Sequence, residues 1–196
     1  MGRPRVIVFD LGGVLLDYAP ERRVSAIAAA CRTDEDAVRA FLSGPLVRDL
    51  DAGLATLDHL ARDLGRLAEG RIDAGEAARL WLSVFRPNQT LWTLLPPLSR
   101  DYRLACFSNN PGFVRQALPS EVTLDPVILS AEIGALKPEP ASFAAAEARL
   151  GVDPGDILFV DDAYRNVTAA RARGWNALHY RSPELLLADL RRNVLS

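Results

Sequence analysis

The chain has 196 residues, of which 49% are hydrophobic and 24% charged, a composition that suits one well-packed domain or a domain with a smaller insertion. Its formal net charge of −2 excludes the global positive field with which proteins hold nucleic acid or an anionic membrane, so any phosphate chemistry must be local. Cys31 and Cys106 stand far apart without a CxxC spacing, which predicts neither a disulfide framework nor a zinc site. The apolar run near the N-terminus is too short for a signal peptide, so we expect a cytoplasmic protein.

Four short apolar runs predict strands that are buried on both faces, because their apolar residues are continuous rather than alternating. Each run ends on a polar residue: VIVF at Asp10, LACF at Ser108, VIL at Ser130 and ILFV at Asp161. Helical stretches lie between the later runs and stop at Gly151 and Gly174. Alternating strand and helix predicts an α/β fold with a parallel sheet, a fifth strand at residues 176–180 and a terminal helix at residues 183–194.

Residues 19–88 have a different pattern, since they hold several helical patterns and no convincing strand. An all-helical insertion after the first strand would form a cap over the crevice at the strand ends. We therefore expect a core domain of residues 1–18 and 89–196 and a helical cap domain of residues 19–88.

The polar strand ends predict a common site. In open parallel sheets the ligand crevice lies beyond the carboxyl ends of the strands, so Asp10, Ser108, Ser130 and the Asp161–Asp162 pair would meet at one edge. The alternative is that polar residues merely end strands, as they do in most proteins. The doubled aspartate favours a site, because adjacent carboxylates repel each other unless something positive binds there.

Four motifs occur in order along the chain: VFDLGGVLLD, ACFSNN, IGALKPEP and FVDDAYRN. Together they resemble the motifs of the haloacid dehalogenase-like (HAD) hydrolase superfamily, in its phosphatase branch with a helical cap inserted after the first motif. The resemblance covers nearly the whole chain. It implies a Rossmann-like parallel sheet core and a magnesium-dependent phosphatase of a small phosphorylated metabolite.

The resemblance assigns roles to the first and last motifs. Asp10 matches the nucleophile, whose carboxylate attacks phosphorus and forms an aspartyl phosphate. A carboxylate and a phosphate dianion repel each other, so a bound Mg²⁺ is needed to hold both. Asp162 matches the second carboxylate ligand of the metal, the backbone carbonyl of Gly12 matches a further ligand, and Asp161 would orient metal-bound water. The alternative for Asp161 and Asp162 is an N-cap of the following helix.

The two middle motifs would hold the phosphate. Ser108 and the backbone amide of Asn109 resemble a phosphate clamp, which supplies neutral donors to the phosphoryl oxygens. The alternative is that Ser108 or Asn109 caps a helix after Pro111. Lys137 is the only lysine among 23 lysine and arginine residues, and by the resemblance it pairs with Asp10 and the phosphate. A single lysine could also occupy this position by chance.

Gly12 is the position at which the chain departs from the family pattern. The family commonly places there a second aspartate, which protonates the leaving group and then activates water. Without it, turnover should depend strongly on the leaving group, unless ordered water, Asp161 or Asp17 transfers the proton. The glycine variant is similar to bacterial sugar-1-phosphate phosphatases, whose leaving groups depart more easily than ordinary alcohols. Two other functions stay open: a phosphate-binding protein with weakened catalysis, and a receiver-type signalling domain.

The helical segment around DLDAGLATLDHL resembles the part of the cap that family members direct towards the substrate. Arg48, Asp51 and Gly53 are therefore candidates for setting specificity. Other residues are expected to be structural or solvated: His59, His179, Trp81, Phe85, Trp92 and the arginine pairs at 22–23 and 191–192. We expect no nucleic-acid or membrane partner, and the sequence does not indicate an oligomeric state.

Overall fold

A computed structural model describes residues 3–118 and 123–193. In chain order the strands are β1 (Val6–Phe9), β2 (Leu16–Tyr18), β3 (Phe85–Pro87), β4 (Arg103–Ser108), β5 (Val127–Leu129), β6 (Ile157–Asp161) and β7 (Asn176–His179). The α-helices are α1 (Pro20–Cys31), α2 (Glu35–Leu42), α3 (Pro45–Asp51), α4 (Leu57–Leu67), α5 (Ala74–Leu82), α6 (Gln89–Leu98), α7 (Ser130–Ile133), α8 (Pro140–Leu150), α9 (Tyr164–Ala172) and α10 (Pro183–Asn193). None of these helices is long and apolar enough to cross a membrane.

Within the described part of the chain, five parallel strands form one sheet in the order β5-β4-β1-β6-β7. The central strand β1 pairs with β4 on one side and β6 on the other, so that Phe9 lies opposite Cys106 and Val160. This register brings the carboxyl ends of β1, β4 and β6 to the same edge. The α/β fold, the four strands and the fifth strand predicted from the sequence are confirmed.

Apolar clusters cover both faces of the sheet. Ile7 and Phe9 belong to the cluster that includes residues of α6 and α10, whereas Val6 and Val8 belong to the cluster formed with α8 and α9. Successive residues of a strand point to opposite faces, which explains why the continuous run VIVF serves two clusters. Full burial of one such side chain stabilises the fold by about 1.5–3 kcal/mol.

Helices α1 to α5 pack around an apolar cluster of their own. Ile27, Leu50, Leu60 and Leu64 are fully buried in it, and Trp81 closes one side. The cluster accounts for the helical patterns in this stretch, because each helix turns one apolar face towards the others. The division of the chain into core and cap domains at residues 18 and 89 stays a prediction.

A short ribbon joins this helical region to the sheet. Strand β2 pairs antiparallel with β3, so that Leu16 lies opposite Pro87 and Tyr18 opposite Phe85. The expectation of no strand between residues 19 and 88 is therefore wrong at β3. Strand β3 has only three residues, one of them a proline, so the sequence shows no alternation of apolar and polar residues there. The strand forms because β2 supplies its hydrogen-bonding partner.

Both cysteines are free and buried, Cys31 among the helices and Cys106 in β4. Burial raises the pKa of both thiols, and near Cys106 the carboxylate of Asp10 adds to the rise. Neither thiol is a nucleophile at neutral pH, since the thiolate is the reactive form.

Candidate active site

The carboxyl ends of the strands open into a cavity of about 300 Å³. From the core side it is lined by Asp10, Gly12, Ser108, Asn109, Lys137 and Asp162, which are residues of the four motifs. From the other side the ribbon and the helices contribute Tyr18, Arg23, Val47, Asp51, Trp81 and Phe85. The sheet edge and the helical region thus enclose one shared cavity.

Asp10 follows β1 and is held through one of its two carboxylate oxygens. Its Oδ1 accepts hydrogen bonds from the backbone N–H of Leu11 at 2.7 Å and from Ser108 Oγ at 2.5 Å, and Lys137 Nζ lies 3.1 Å away. Burial raises the pKa of Asp10 to about 7, and the Lys137 cation opposes that rise. With all these donors on Oδ1, the described residues leave Oδ2 open for a metal ion or a phosphorus atom.

Lys137 is almost completely buried at the edge of the sheet. Its Nζ donates to the Phe107 carbonyl at 2.9 Å and to Asp161 Oδ2 at 2.6 Å, in addition to its contact with Asp10. Burial lowers the pKa of Lys137, but the two carboxylates outweigh it and the net pKa is raised. The ammonium is therefore charged when the site is empty of other ions.

The residues after β4 position Ser108 and Lys137. The Asn109 side chain accepts from the Lys137 backbone N–H at 2.8 Å and donates to the Lys137 carbonyl at 2.9 Å. Asn110 Nδ2 donates to Ser108 Oγ at 3.0 Å. After Pro111 the chain forms a 3₁₀ turn without a side-chain cap, so the capping alternative for Ser108 and Asn109 is wrong.

Asp10, Asp161 and Asp162 form an acidic cluster in which ligand oxygens lie within 4.8 Å of one another. Asp161 is fully buried and both of its oxygens are occupied, by Lys137 and by donors from Ala163 and Asn166. Asp162 is the exposed member of the cluster. The N-cap position of α9 is Ala163, so neither aspartate is the N-cap residue that the alternative required.

Asn166 is a site residue that the sequence analysis did not identify. Its Nδ2 donates to Asp161 Oδ1 at 3.0 Å, and it lines the cavity. Its buried Oδ1 has no hydrogen-bond donor among the described residues. A buried acceptor of this kind is usually satisfied by ordered water. Carboxylate oxygens with ordered water beside them are the surroundings that a hydrated hard cation such as Mg²⁺ prefers, so the acidic cluster fits such an ion. The signal in the sequence was its place four residues after Asp162 in FVDDAYRN.

The two glycines after Asp10 have different reasons to be glycine. Gly13 has a φ of +79°, and a Cβ there would lie 2.3 Å from Asp162 Oδ2. At Gly12 a Cβ would meet only Phe85 at 3.5 Å and Tyr18 at 3.8 Å, in ordinary contact. The left-handed backbone therefore requires a glycine at Gly13, whereas the backbone at Gly12 has room for a side chain.

Arg23 is buried, which corrects the expectation that the arginines at 22 and 23 form a solvated face. Its Nε donates to the Trp81 carbonyl at 2.8 Å, and its guanidinium carbon lies 4.0 Å from the centre of the Trp81 ring. Arg22 is exposed, as expected. Burial lowers the pKa of Arg23, and a buried guanidinium beside a cavity can bind an anionic or hydroxylated ligand.

The three specificity candidates occupy different positions. Asp51 lines the main cavity, and Arg48 lines an adjoining cavity that Asp51 also reaches. Gly53 has a φ of +75°, and a Cβ there would lie 2.3 Å from the Ala131 carbonyl oxygen, so it is a contact between the end of α3 and α7. Asp17 is exposed on β2 and is not among the residues that line the main cavity.

The other residues expected to be structural have structural contacts. His59 Nδ1 accepts from the Thr56 backbone N–H at 3.1 Å and completes the cap of α4. His179 Nε2 lies 2.9 Å from the Asp162 carbonyl oxygen. Trp92 is buried and donates to the Leu15 carbonyl, whereas Phe85 lines the cavity in addition to packing. Arg192 is exposed and pairs with Asp189.

Comparisons with known proteins agree with this geometry. The family model for haloacid dehalogenase-like hydrolases matches residues 98–174. The D-ribitol-5-phosphate phosphatase of Bacteroides thetaiotaomicron is 25% identical over 181 residues, which cover 86% of this chain and 88% of that protein.

Two solved structures have the same fold. A predicted HAD-like family hydrolase from Porphyromonas gingivalis has a TM-score of 0.80 at 26% identity, covering 98% of this chain and 100% of its own. A HAD family enzyme from Bacteroides thetaiotaomicron, solved with magnesium and inorganic phosphate, has a TM-score of 0.78 at 23% identity and covers 92% of this chain and 95% of its own. With the four motifs at one sheet edge, these similarities show that the chain resembles haloacid dehalogenase-like hydrolases, among them a D-ribitol-5-phosphate phosphatase, in sequence and in fold.

Proposed function

We propose that the enzyme hydrolyses the phosphate monoester of a small metabolite, with Mg²⁺ as cofactor and an aspartyl phosphate on Asp10 as intermediate. The observation that carries this proposal is the state of the Asp10 carboxylate. Three donors hold its Oδ1 in place, no donor among residues 3–118 and 123–193 reaches Oδ2, and Asp10 lines the cavity. A nucleophile fixed in this way loses little orientational freedom when it attacks.

The acidic cluster supports a magnesium site. Asp10, Asp162 and the backbone carbonyl of Gly12 would hold the ion, and Asp161 with Asn166 would orient its water ligands. Because Lys137 and two further donors already occupy Asp161, that residue suits an indirect role. Bound there, Mg²⁺ would reduce the repulsion between the phosphate and the carboxylates. The magnesium and phosphate in the solved relative are consistent with this assignment.

The chain's own donors would hold the phosphate against Asp10. Ser108 Oγ, the Asn109 backbone N–H and Lys137 Nζ would bind phosphoryl oxygens. Asp10 Oδ2 would attack phosphorus as the bond to the leaving-group oxygen breaks, and water would then hydrolyse the aspartyl phosphate. Lys137 contacts both Asp10 and Asp161, so its charge is present in the ground state and in the transition state.

A hydroxylated substrate such as a sugar phosphate suits the cavity. Its volume of about 300 Å³ matches the lower end of small-molecule sites. Arg23, on the side of the helical region, offers a hydrogen-bond donor for hydroxyl groups. A sugar-1-phosphate is the narrower proposal, which rests on Gly12 because such a leaving group needs less help from an acid.

The experiment is a hydrolysis assay with p-nitrophenyl phosphate and a panel of metabolite phosphates, with Mg²⁺ and after EDTA treatment. We expect activity with Mg²⁺, loss of activity in EDTA and recovery on adding Mg²⁺. Full activity in EDTA would disprove the metal assignment. Phosphate binding without hydrolysis of any ester would instead support the weakened binding protein, the alternative that Gly12 favours.

A further inference from the structure

We propose that Asp51, on the helical region, is the general acid and base of the reaction, and so supplies the proton transfer for which Gly12 has no side chain. The inference rests on the proposed function. It starts from the fact that Asp51 lines the same cavity as Asp10 and Gly12. A leaving group that departs towards the helical side of this cavity would meet the Asp51 carboxyl group.

The end of α3 is fixed to the sheet edge. The Asp51 carbonyl accepts a hydrogen bond from Ser130 Oγ at 2.5 Å. Ser130 Oγ in turn accepts a hydrogen bond from the Asn110 backbone N–H at 3.0 Å. Two residues after Asp51, Gly53 lies so close to the Ala131 carbonyl that a Cβ would not fit. These contacts dock Asp51 over the strand ends.

The same hydrogen bonds continue to the nucleophile. Asn110 Nδ2 donates to Ser108 Oγ at 3.0 Å, and Ser108 Oγ donates to Asp10 Oδ1 at 2.5 Å. A short path of side chains and backbone groups therefore fixes the position of Asp51 relative to Asp10. An acid on an element held in this way can keep the geometry that proton transfer needs.

The Asp51 carboxyl group has the chemical state that the role requires. It is partly buried, and no hydrogen bond from another described residue reaches its carboxylate oxygens. Burial raises the pKa of Asp51 to about 7, and the Arg23 cation opposes the rise. A group that titrates near neutral pH can both donate and accept a proton.

Charged groups from several elements line the cavities that Asp51 lines. Arg23 comes from α1, Arg48 from its own helix, and Lys137 and Arg165 line the same cavities from the core. These cations favour the carboxylate, whereas a bound phosphate dianion and the carboxylates of the acidic cluster favour the protonated acid. Substrate binding would thus promote the form that donates the proton.

The two carboxylates considered from the sequence are less suitable. Both oxygens of Asp161 are held by Lys137, Ala163 and Asn166. Asp17 is exposed on β2, outside the set of residues that line the cavity.

The proposed proton transfers balance in two steps. In the first, Asp10 Oδ2 forms a bond to phosphorus, the ester P–O bond breaks, and protonated Asp51 gives its proton to the leaving oxygen, which departs as an alcohol. In the second, the Asp51 carboxylate takes a proton from the attacking water. The bond between Asp10 and phosphorus breaks, inorganic phosphate is released, and Asp51 is again protonated.

The test compares Asp51→Asn with Asp49→Asn, a change of the same type on the same helix, across esters of increasing leaving-group pKa. With alkyl phosphates we expect Asp51→Asn to lower kcat/KM by about 10²- to 10⁴-fold, the usual contribution of acid catalysis. With p-nitrophenyl phosphate, whose leaving group needs no proton, formation of the phosphoenzyme should change by less than about threefold. Asp49→Asn should change neither rate.

The pH profile gives a second readout. Because the protonated acid is needed, kcat/KM of the native enzyme for alkyl phosphates should fall as the pH rises above about 7. Asp51→Asn should lose this basic limb. Adding Gly12→Asp to Asp51→Asn should restore part of the alkyl phosphate activity, since a Cβ at Gly12 has only ordinary contacts.

The outcomes separate the inference from the proposed function. If the native protein with Mg²⁺ hydrolyses no ester, the proposed function fails. If it hydrolyses them and a folded Asp51→Asn variant slows alkyl and aryl esters equally, or slows neither, the inference is overturned. A melting temperature for each variant shows whether it is folded. In a misfolded Asp51→Asn protein, aryl activity would fall as far as alkyl activity. Two other variants would then decide: the double variant that combines Gly12→Asp with Asp51→Asn, and the single variant Asp51→Glu. The inference requires that at least one of these two variants hydrolyses alkyl phosphates.

Discussion

The two sides of the cavity are built differently. At the sheet edge, Asp10 and Lys137 each have three polar partners, and almost every partner belongs to a strand end or the loop directly after it. On the helical side, the Arg23 side chain has one hydrogen bond among the described residues, to a backbone carbonyl, and Asp51 is held through its backbone. The nucleophile and its cation are therefore fixed by several bonds each, whereas the Arg23 and Asp51 side chains are fixed by few.

The difference indicates a division of work. A side chain with several partners cannot move without breaking them all, which suits the nucleophile and its cation. A side chain held at one point, such as Arg23, can be exchanged with little effect on the fold, which suits the part of the cavity that distinguishes substrates. Variants on the two sides should therefore differ in the size and in the kind of their effects.

The largest effect is expected from Asp10→Asn. The amide has the shape of the carboxylate but is a poor nucleophile, so turnover should fall by more than about 10³-fold and no phosphoenzyme should form. Rapid-quench measurement with labelled substrate checks both. Asp17→Asn, an exposed carboxylate nearby, serves as the control and should retain native turnover. Native turnover in Asp10→Asn would remove Asp10 from the mechanism.

The second largest effect is expected from Lys137→Ala. It leaves Asp10 and Asp161 buried without their cation, so the free energy of unfolding should fall by about 3–5 kcal/mol. The loss of a charged group at the phosphate should lower kcat/KM by about 10²- to 10³-fold. Urea unfolding and steady-state kinetics measure the two effects. Arg192→Ala, which removes an exposed pair, should change stability by less than about 1 kcal/mol; equal results for the two variants would contradict this account of Lys137.

A smaller effect is expected from Gly13→Ala, with Gly151→Ala as its control. Both glycines have positive φ, so both substitutions should cost about 1 kcal/mol of stability. Only at Gly13 does the new methyl group meet Asp162 Oδ2, whereas nothing lies within 4 Å at Gly151. The Mg²⁺ concentration for half-maximal activity should therefore rise about 10- to 100-fold in Gly13→Ala alone. If it rises in neither variant, Asp162 does not hold the metal.

The smallest of these effects should come from Arg23, on the helical side. Arg23→Met keeps the contact with Trp81 but removes the charge, and a charged hydrogen bond to substrate is worth about 1.5–3 kcal/mol. The KM for the metabolite substrate should rise about 10- to 100-fold, with kcat for p-nitrophenyl phosphate within about twofold of native. Arg22→Met, at the exposed neighbour, should leave both unchanged. A fall in kcat without a change in KM would assign Arg23 to the chemistry.

The same contrast explains what the sequence could predict. Apolar strands that end on Asp10, Ser108 and Asp161 predict both the sheet and the edge where these residues meet, because the rule for parallel sheets places them there. The geometry agrees with the pairing of Lys137 expected from its motif. The roles given to these residues stay predictions.

The helical side could not be predicted in the same way. Arg23 looks like a solvated residue beside Arg22, and its burial depends on how α1 packs against Trp81. The strand β3 exists only because β2 lies beside it. Asn166 lies within the motif FVDDAYRN. Its Nδ2 faces Asp161, so its Oδ1 has no hydrogen-bond donor among the described residues, and this orientation of the amide is not encoded in the motif. Long-range packing, which no local pattern encodes, decides these features.

The burial of Cys31 and Cys106 has a practical consequence for fluorescence spectroscopy. Because both thiols are buried and have raised pKa values, maleimide dyes should not react with the native chain. Cysteines introduced at Leu54, which is 77% exposed beyond α3, and at Leu185, which is 43% exposed on α10, would then be the reactive thiols. A donor and acceptor dye at these two positions would report the distance between the helical region and the sheet during turnover, with no native cysteine to remove first.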